Sequence, residues 1–210
     1  LHWDHIMGFP FFTPVYIPGN RIVIHTCHPD AEHAFRRQQS APSFPVPFEA
    51  LGAKIEFDVL VPGKRYQIAG YEVSAMLQLH SGDSYGWRFE RNGKSMVYST
   101  DSEHKLDDRA ALAQFANFFQ GADLVVFDAM YSLADAVSVK ADWGHSSNVV
   151  GVELCQEAKA KRLCMFHHEP TADDAAIAKT LFETRRLESL TRSGSELAVI
   201  TAYDGLEIEL

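Results

Sequence analysis

The sequence predicts an α/β layered fold in which helices cover sheets, and its internal pattern carries that prediction. From Lys54 to Thr100 one strand-length apolar run follows another, with Asn92-Gly93 as a hairpin signal between two of them. From Ala110 onward helical and strand patterns alternate, the arrangement expected of helices packed on a sheet. There are no internal repeats, low-complexity tracts or linkers, so residues 1–210 are expected to form a single domain.

Taken in order, residues 8–20 carry Gly8, Pro10, Pro14, Pro18 and Gly19 among aromatics and read as a packed, irregular loop. Arg21 to His25 is a buried strand, and Pro29-Asp30 opens a helix that runs to about Gln39. A second proline-rich loop, with Pro42, Pro45 and Pro47 around Phe44 and Phe48, either walls a pocket or covers the edge of the core. Strands follow at Lys54 to Leu60, Tyr71 to Leu79, Tyr85 to Glu90 and Met96 to Thr100. The second half gives helices at Ala110 to Phe119, Ser147 to Ala160 and Asp173 to Glu188. They alternate with strands at Asp123 to Phe127, Arg162 to Met165 and Leu197 to Ala202.

Composition narrows the function. The 210 residues are 46% hydrophobic, enough for a sizeable core, and no stretch approaches the roughly 20 apolar residues of a membrane span. The cysteines, Cys27, Cys155 and Cys164, are odd in number and form no C-x-x-C pair, which argues for a reducing compartment and makes the cytoplasm the expected location. A formal charge of -9 disfavours grip on a long nucleic acid but leaves room for a small anionic substrate, because bound divalent ions would add positive charge locally.

Histidines and acids cluster where chemistry could form. His2, Asp4 and His5 put two imidazoles and a carboxylate within four positions, donors that suit zinc and its neighbours. His80, Asp101 and His167 each fall one or two residues past an apolar strand, where side chains from several elements converge. Taken singly, such a residue is more often solvated or a satisfied core residue; with His2, Asp4 and His5 they form a pattern. His145 precedes a helix start, where helix-end amides and an imidazole can face one anion, or where it simply caps or packs beside Trp143. His25-Thr26-Cys27-His28 lacks a matching second pair. Glu103, His104, Asp107 and Asp108 read as an acidic helix start from which one side chain could reach the site.

The run His2-Trp3-Asp4-His5 resembles the tail of the H-x-H-x-D-H motif of the metallo-β-lactamase superfamily, and His80, Asp101 and His167 follow in the order that superfamily uses. The resemblance is closest to its phosphodiesterase branch, which includes tRNase Z and cyclic-phosphodiesterase-like proteins. It is carried also by Tyr85-Gly86-Trp87-Arg88, Tyr98-Ser99-Thr100-Asp101, Trp143-Gly144-His145-Ser146-Ser147 and Phe166-His167-His168-Glu169-Pro170.

That resemblance implies an αββα sandwich, N-terminally incomplete, because the motif's first histidine and several strands would precede Leu1. It implies two divalent metal ions, with His2 and His80 on the first, Asp4, His5 and His167 on the second, and Asp101 bridging both. Between His167 and His168, the former aligns with the family ligand. Zinc is the default for these donors, and manganese or iron would accept them too. His145 is then implied to contact the phosphate or protonate the leaving oxygen, with Asp4 orienting a metal-bridging hydroxide. Only residues 81–100 separate His80 from Asp101, which leaves no room for a tRNA-gripping arm. The expectation is therefore a dinuclear hydrolase of a small or cyclic phosphodiester, without membrane or long nucleic-acid partners and with a homodimer as an admissible assembly. An ester, lactone or amide hydrolase and a non-catalytic metal-binding module are the alternatives.

Overall fold

The computed structural model describes residues 1–210, and the chain falls into two compact units, Leu1–Lys64 and Arg65–Leu210. In the first, the single-turn helix α1 (Trp3–Ile6) precedes two 3-10 turns, Phe9–Phe11 and Thr13–Tyr16, in which Pro10 and Pro14 preset the backbone. Strands β1 (Arg21–Thr26) and β2 (Lys54–Val59) pair in parallel, from Arg21 opposite Lys54 to Thr26 opposite Val59. Parallel pairing demands a crossover, which helix α2 (Ala31–Gln38) supplies.

The aromatics of the two proline-rich loops build this unit's core. Phe9 meets Phe35 edge-on at 4.8 Å, Phe35 meets Phe57 at 5.5 Å, and the Arg36 guanidinium lies 4.5 Å over Phe48. Both readings of those loops hold, since Phe11 and Phe44 also line an open cavity of about 580 Å³ with Trp3, Met7 and Arg37.

The second unit is built on a seven-stranded sheet in sequence order: β3 (Arg65–Ile68), β4 (Tyr71–Gln78), β5 (Ser84–Arg91), β6 (Lys94–Ser99), β7 (Leu124–Asp128), β8 (Arg162–Phe166) and β9 (Ala198–Thr201). Pairing is antiparallel from β3 to β6 and parallel from β6 to β9. The parallel crossovers contain α3 (Arg109–Phe119), the single-turn α4 (Leu133–Ala136) with α5 (Asn148–Glu157), and α6 (Asp174–Thr191). Burial follows this division: β4 buries Val73 and Ala75 in alternation, whereas β7 and β8 are buried almost continuously. Val97, Phe119, Phe127, Leu163 and Met165 are fully buried in the core, each large side chain contributing about 1.5–3 kcal/mol.

Helix starts are capped as the sequence suggests. The side chains of Asp108, Ser132, Ser147 and Asp173 each accept the N–H three residues on, at about 1 kcal/mol apiece. The hairpin at Asn92-Gly93 forms with both residues at positive φ. Strand β3 is the element the pattern did not announce. It is short and polar, Arg65-Tyr66-Gln67-Ile68, and it joins β4 through Ala69-Gly70, where alanine occupies a left-handed position that usually takes asparagine or glycine.

Because β4 and β6 each run antiparallel to β5, strands β4, β6, β7 and β8 point the same way. Their C-terminal ends share one edge of the sheet, the edge at which open α/β sheets collect functional side chains. No helix is long and apolar enough to cross a membrane. Cys27, Cys155 and Cys164 are buried and not disulfide-bonded.

Candidate active site

Each of those four strands delivers chemistry just past or at its end. β4 leads to His80, β6 to Asp101, β7 ends on Asp128, and β8 leads directly to His167. Gln78, buried at the end of β4, donates to the Thr100 carbonyl at 2.7 Å and accepts the Ser99 hydroxyl at 2.6 Å. It thereby fixes the turn that presents Asp101. Asp101 and His167 both adopt left-handed backbone, φ 53° and 58°, a conformation that costs a non-glycine residue about 1–2 kcal/mol and clusters at functional sites.

The side chains converge on Asp101. His167 Nε2 lies 2.9 Å from Asp101 Oδ1, and His80 Nε2 lies 3.4 Å from Asp101 Oδ2. His80 Nδ1 is 2.9 Å from the Gly144 carbonyl oxygen, which can only accept, so Nδ1 carries the proton. The Nε2 edge of the ring then faces the buried carboxylate of Asp101. The hydrogen bond to Asp101 raises the His167 pKa above its ordinary value against the opposing effect of burial, with Asp128 adding to the rise. A metal ion would have to displace that proton.

Asp128 is the residue that sequence reading missed. It is completely buried, and its Oδ2 lies 2.9 Å from His145 Nδ1 while the amides of Ser102, Met130 and Ser146 donate to the carboxylate at 3.2–3.4 Å. The pairing holds one face of the His145 ring and leaves Nε2 as its working nitrogen. His145 stacks on His167 with centroids 4.7 Å apart and meets His80 edge-on at 5.0 Å. Ligand-type atoms of Asp101, Asp128, His145 and His167 all lie within 4.8 Å of one another. The imidazoles of His80 and His167 on the buried carboxylate of Asp101 are donors that fit a borderline divalent ion. A signal for Asp128 was present: an acid closing the apolar run Leu124 to Phe127, at the same strand-end position as the other candidates.

The remaining candidates are placed as follows. His2 precedes α1 and Asp4 and His5 lie on it, His5 Nε2 3.6 Å from Asp4 Oδ2, all within the first unit. His168 turns to Thr201 on β9, 2.7 Å from its hydroxyl, and burial lowers its pKa, helped by His167. His25 bonds Asp58 across the β1–β2 pair at 2.9 Å, and burial pushes the Cys27 thiol up to about 11, away from metal-binding thiolate character. His104 is buried between Phe115 and Phe127, with Ser102 Oγ at 3.3 Å from Nδ1. Asp108 is a helix cap, so the acidic run after Asp101 is in part the expected helix start. Glu103, however, is buried and bonded into the loop before His145.

A family model described as the beta-lactamase superfamily domain matches residues 1–168. Among solved structures, the metallo-beta-lactamase fold protein YhfI from Bacillus subtilis superposes with a TM-score of 0.70 at 17% identity, covering 98% of this chain and 73% of that one. A diphosphatase from the PhnP family gives 0.64 at 20% identity, covering 100% and 68%. The short form of human tRNase Z gives 0.65 at 17% identity, covering 100% and 76%. At these identities the likeness establishes the fold, a metallo-β-lactamase layout of sheet and helices. No curated protein matches the sequence.

Proposed function

The chain belongs to the beta-lactamase superfamily, and from that premise we propose that it is a dinuclear metal-dependent hydrolase of small or cyclic phosphodiesters. The observation that carries the reading is His145 held by the buried carboxylate of Asp128, beside His80 and His167 converging on Asp101. In the proposed ligand set His80 would hold one ion with His2, His167 would hold the other with Asp4 and His5, and Asp101 would contribute to both. Zinc suits these donors, and manganese or iron would be accepted. When bound, such ions would neutralise charge on phosphoryl oxygens and make water a competent nucleophile near neutral pH.

The chain's own residues supply the rest. Asp4 would orient the attacking water. His145, anchored through Nδ1 on Asp128, would give the Nε2 proton to the leaving oxygen as its bond to phosphorus breaks. A proton donor matters most when the leaving group is an alkoxide, which favours phosphodiesters of sugars or nucleosides over activated carboxylic esters. The net charge of -9 supports a small substrate rather than a long nucleic acid, and the three unpaired buried cysteines support a reducing compartment.

The test is a substrate panel on zinc- or manganese-loaded protein: a cyclic nucleotide, a linear diester and a lactone. Turnover of the phosphodiesters is expected, with His145→Ala slowing the cyclic nucleotide by about 100-fold or more. Hydrolysis of the lactone alone would overturn the reading in favour of carbonyl chemistry. An unchanged rate for His145→Ala would remove that residue from the mechanism.

A further inference from the structure

Glu103 brackets His80 from both sides. Its backbone N–H donates to the Leu79 carbonyl at 2.9 Å, bridging that strand end to the segment after Asp101. Its side chain, 5% exposed as a residue, accepts the Gly144 amide at 3.0 Å on Oε2 and the Asp142 amide at 3.0 Å on Oε1. Lys105 Nζ closes the same loop, 2.5 Å from Glu103 Oε1 and 2.7 Å from Asp142 Oδ1. The carbonyl of the clamped Gly144 then accepts the proton of His80 Nδ1.

The loop has left-handed turns at the residues that Glu103 holds. Asp142 and Gly144 both have positive φ, 67° and 84°, and a Cβ on residue 144 would overlap His80 Nδ1. The carboxylate thus holds the loop in place while it presents one carbonyl to one imidazole. Partners of this kind, behind a ligating histidine, decide which ring nitrogen is left for an ion.

We propose that Glu103 is a positioning residue that acts through the Gly144 peptide to fix the ring orientation and tautomer of His80. The significance for metal binding rests on the reading of His80 as a ligand made above, whereas the positioning itself can be measured without any ion. Because Gly144 and His145 are consecutive, the same clamp sets the start of the segment that carries the proton donor.

The test uses the full chain. Proton–nitrogen correlation NMR of the histidine rings in metal-free protein reads the His80 tautomer, and cobalt(II) titration followed by visible absorption reads affinity. The native protein is expected to hold the Nδ1–H tautomer. Glu103→Ala should give a mixture of tautomers and weaken cobalt binding by about 10- to 100-fold. Glu103→Gln, which keeps one acceptor oxygen, should fall between. A native tautomer in Glu103→Ala would overturn the proposal, and if that variant does not fold, a native tautomer in Glu103→Gln does so. His80→Ala separates the two layers: undiminished cobalt binding there refutes the ligand reading, while the tautomer still decides the role of Glu103.

Discussion

Replacing Asp128 by asparagine separates the proton-donor role of His145 from the integrity of the site. The carboxylate accepts through Oδ1 from Met130 and Ser146, at 3.2 and 3.3 Å, and an asparagine oxygen can keep both bonds. The other position would then carry an NH2 group, facing the Ser102 amide at 3.4 Å and His145 Nδ1 at 2.9 Å. An amide nitrogen cannot accept, so the hydrogen bond that His145 Nδ1 donates to the carboxylate is lost. A hydrogen bond to a charged group is worth about 1.5–3 kcal/mol, which at about 1.4 kcal/mol per decade is roughly a 10- to 100-fold loss in kcat/KM. That loss should appear for a cyclic nucleotide, whose alkoxide needs a proton, and be nearly absent for bis(p-nitrophenyl) phosphate, whose leaving group does not. The assay is kcat/KM on both substrates at equal, measured metal content. Equal losses on the two, or none on either, would refute the pairing of Asp128 with His145 as the acid.

Two further outcomes concern stability. Burial lowers the His104 pKa from 6.5 to about 4, so below pH 6.5 the unfolded chain binds a proton that the folded one refuses. Stability should fall by about 3 kcal/mol between pH 6.5 and 4 and then stop changing on this account. Urea unfolding of the native protein and His104→Leu across that range should differ by this amount, and parallel profiles would dismiss the assignment. The buried Glu188 carboxylate accepts Arg192 through two nitrogens at 2.7 and 3.0 Å and the Leu197 amide at 3.0 Å, and the Arg192 bond lowers its pKa. Its contribution is present above the ordinary carboxylate range and lost as pH falls through the lowered value. Glu188→Ala should cost about 2 kcal/mol at neutral pH; a variant as stable as the native chain would show that α6 and β9 are held by other contacts.

Much of the second unit is legible from periodicity. The apolar runs of β7 and β8 are continuous because parallel strands are covered by the helices that connect them, and the alternation in β4 marks antiparallel pairing. β3 escapes because four residues with two polar side chains give too short a period to detect. Asp128 escapes for a different reason. An acid at a strand end is common, and what distinguishes this one is its complete burial among three backbone amides and an imidazole, all but the Met130 amide remote from it in sequence. Glu103 is legible only as one of four candidates in an acidic run, since such a run before a helix is ordinary and the sequence does not separate it from Asp108, which serves as the cap.

The sequence by itself determined the order of elements, the family motifs and the inventory of imidazoles and carboxylates, because periodicity and residue type are local properties. Only the tertiary structure decided how these groups are committed. It turned His168 to Thr201 and His167 to Asp101, gave the His80 proton to Gly144, and buried Asp128 against His145. The physical reason is that a hydrogen bond selects its partner by distance and direction in space. Here the common direction of β4, β6, β7 and β8 brings residues 80, 101, 128 and 167 to one edge of a sheet.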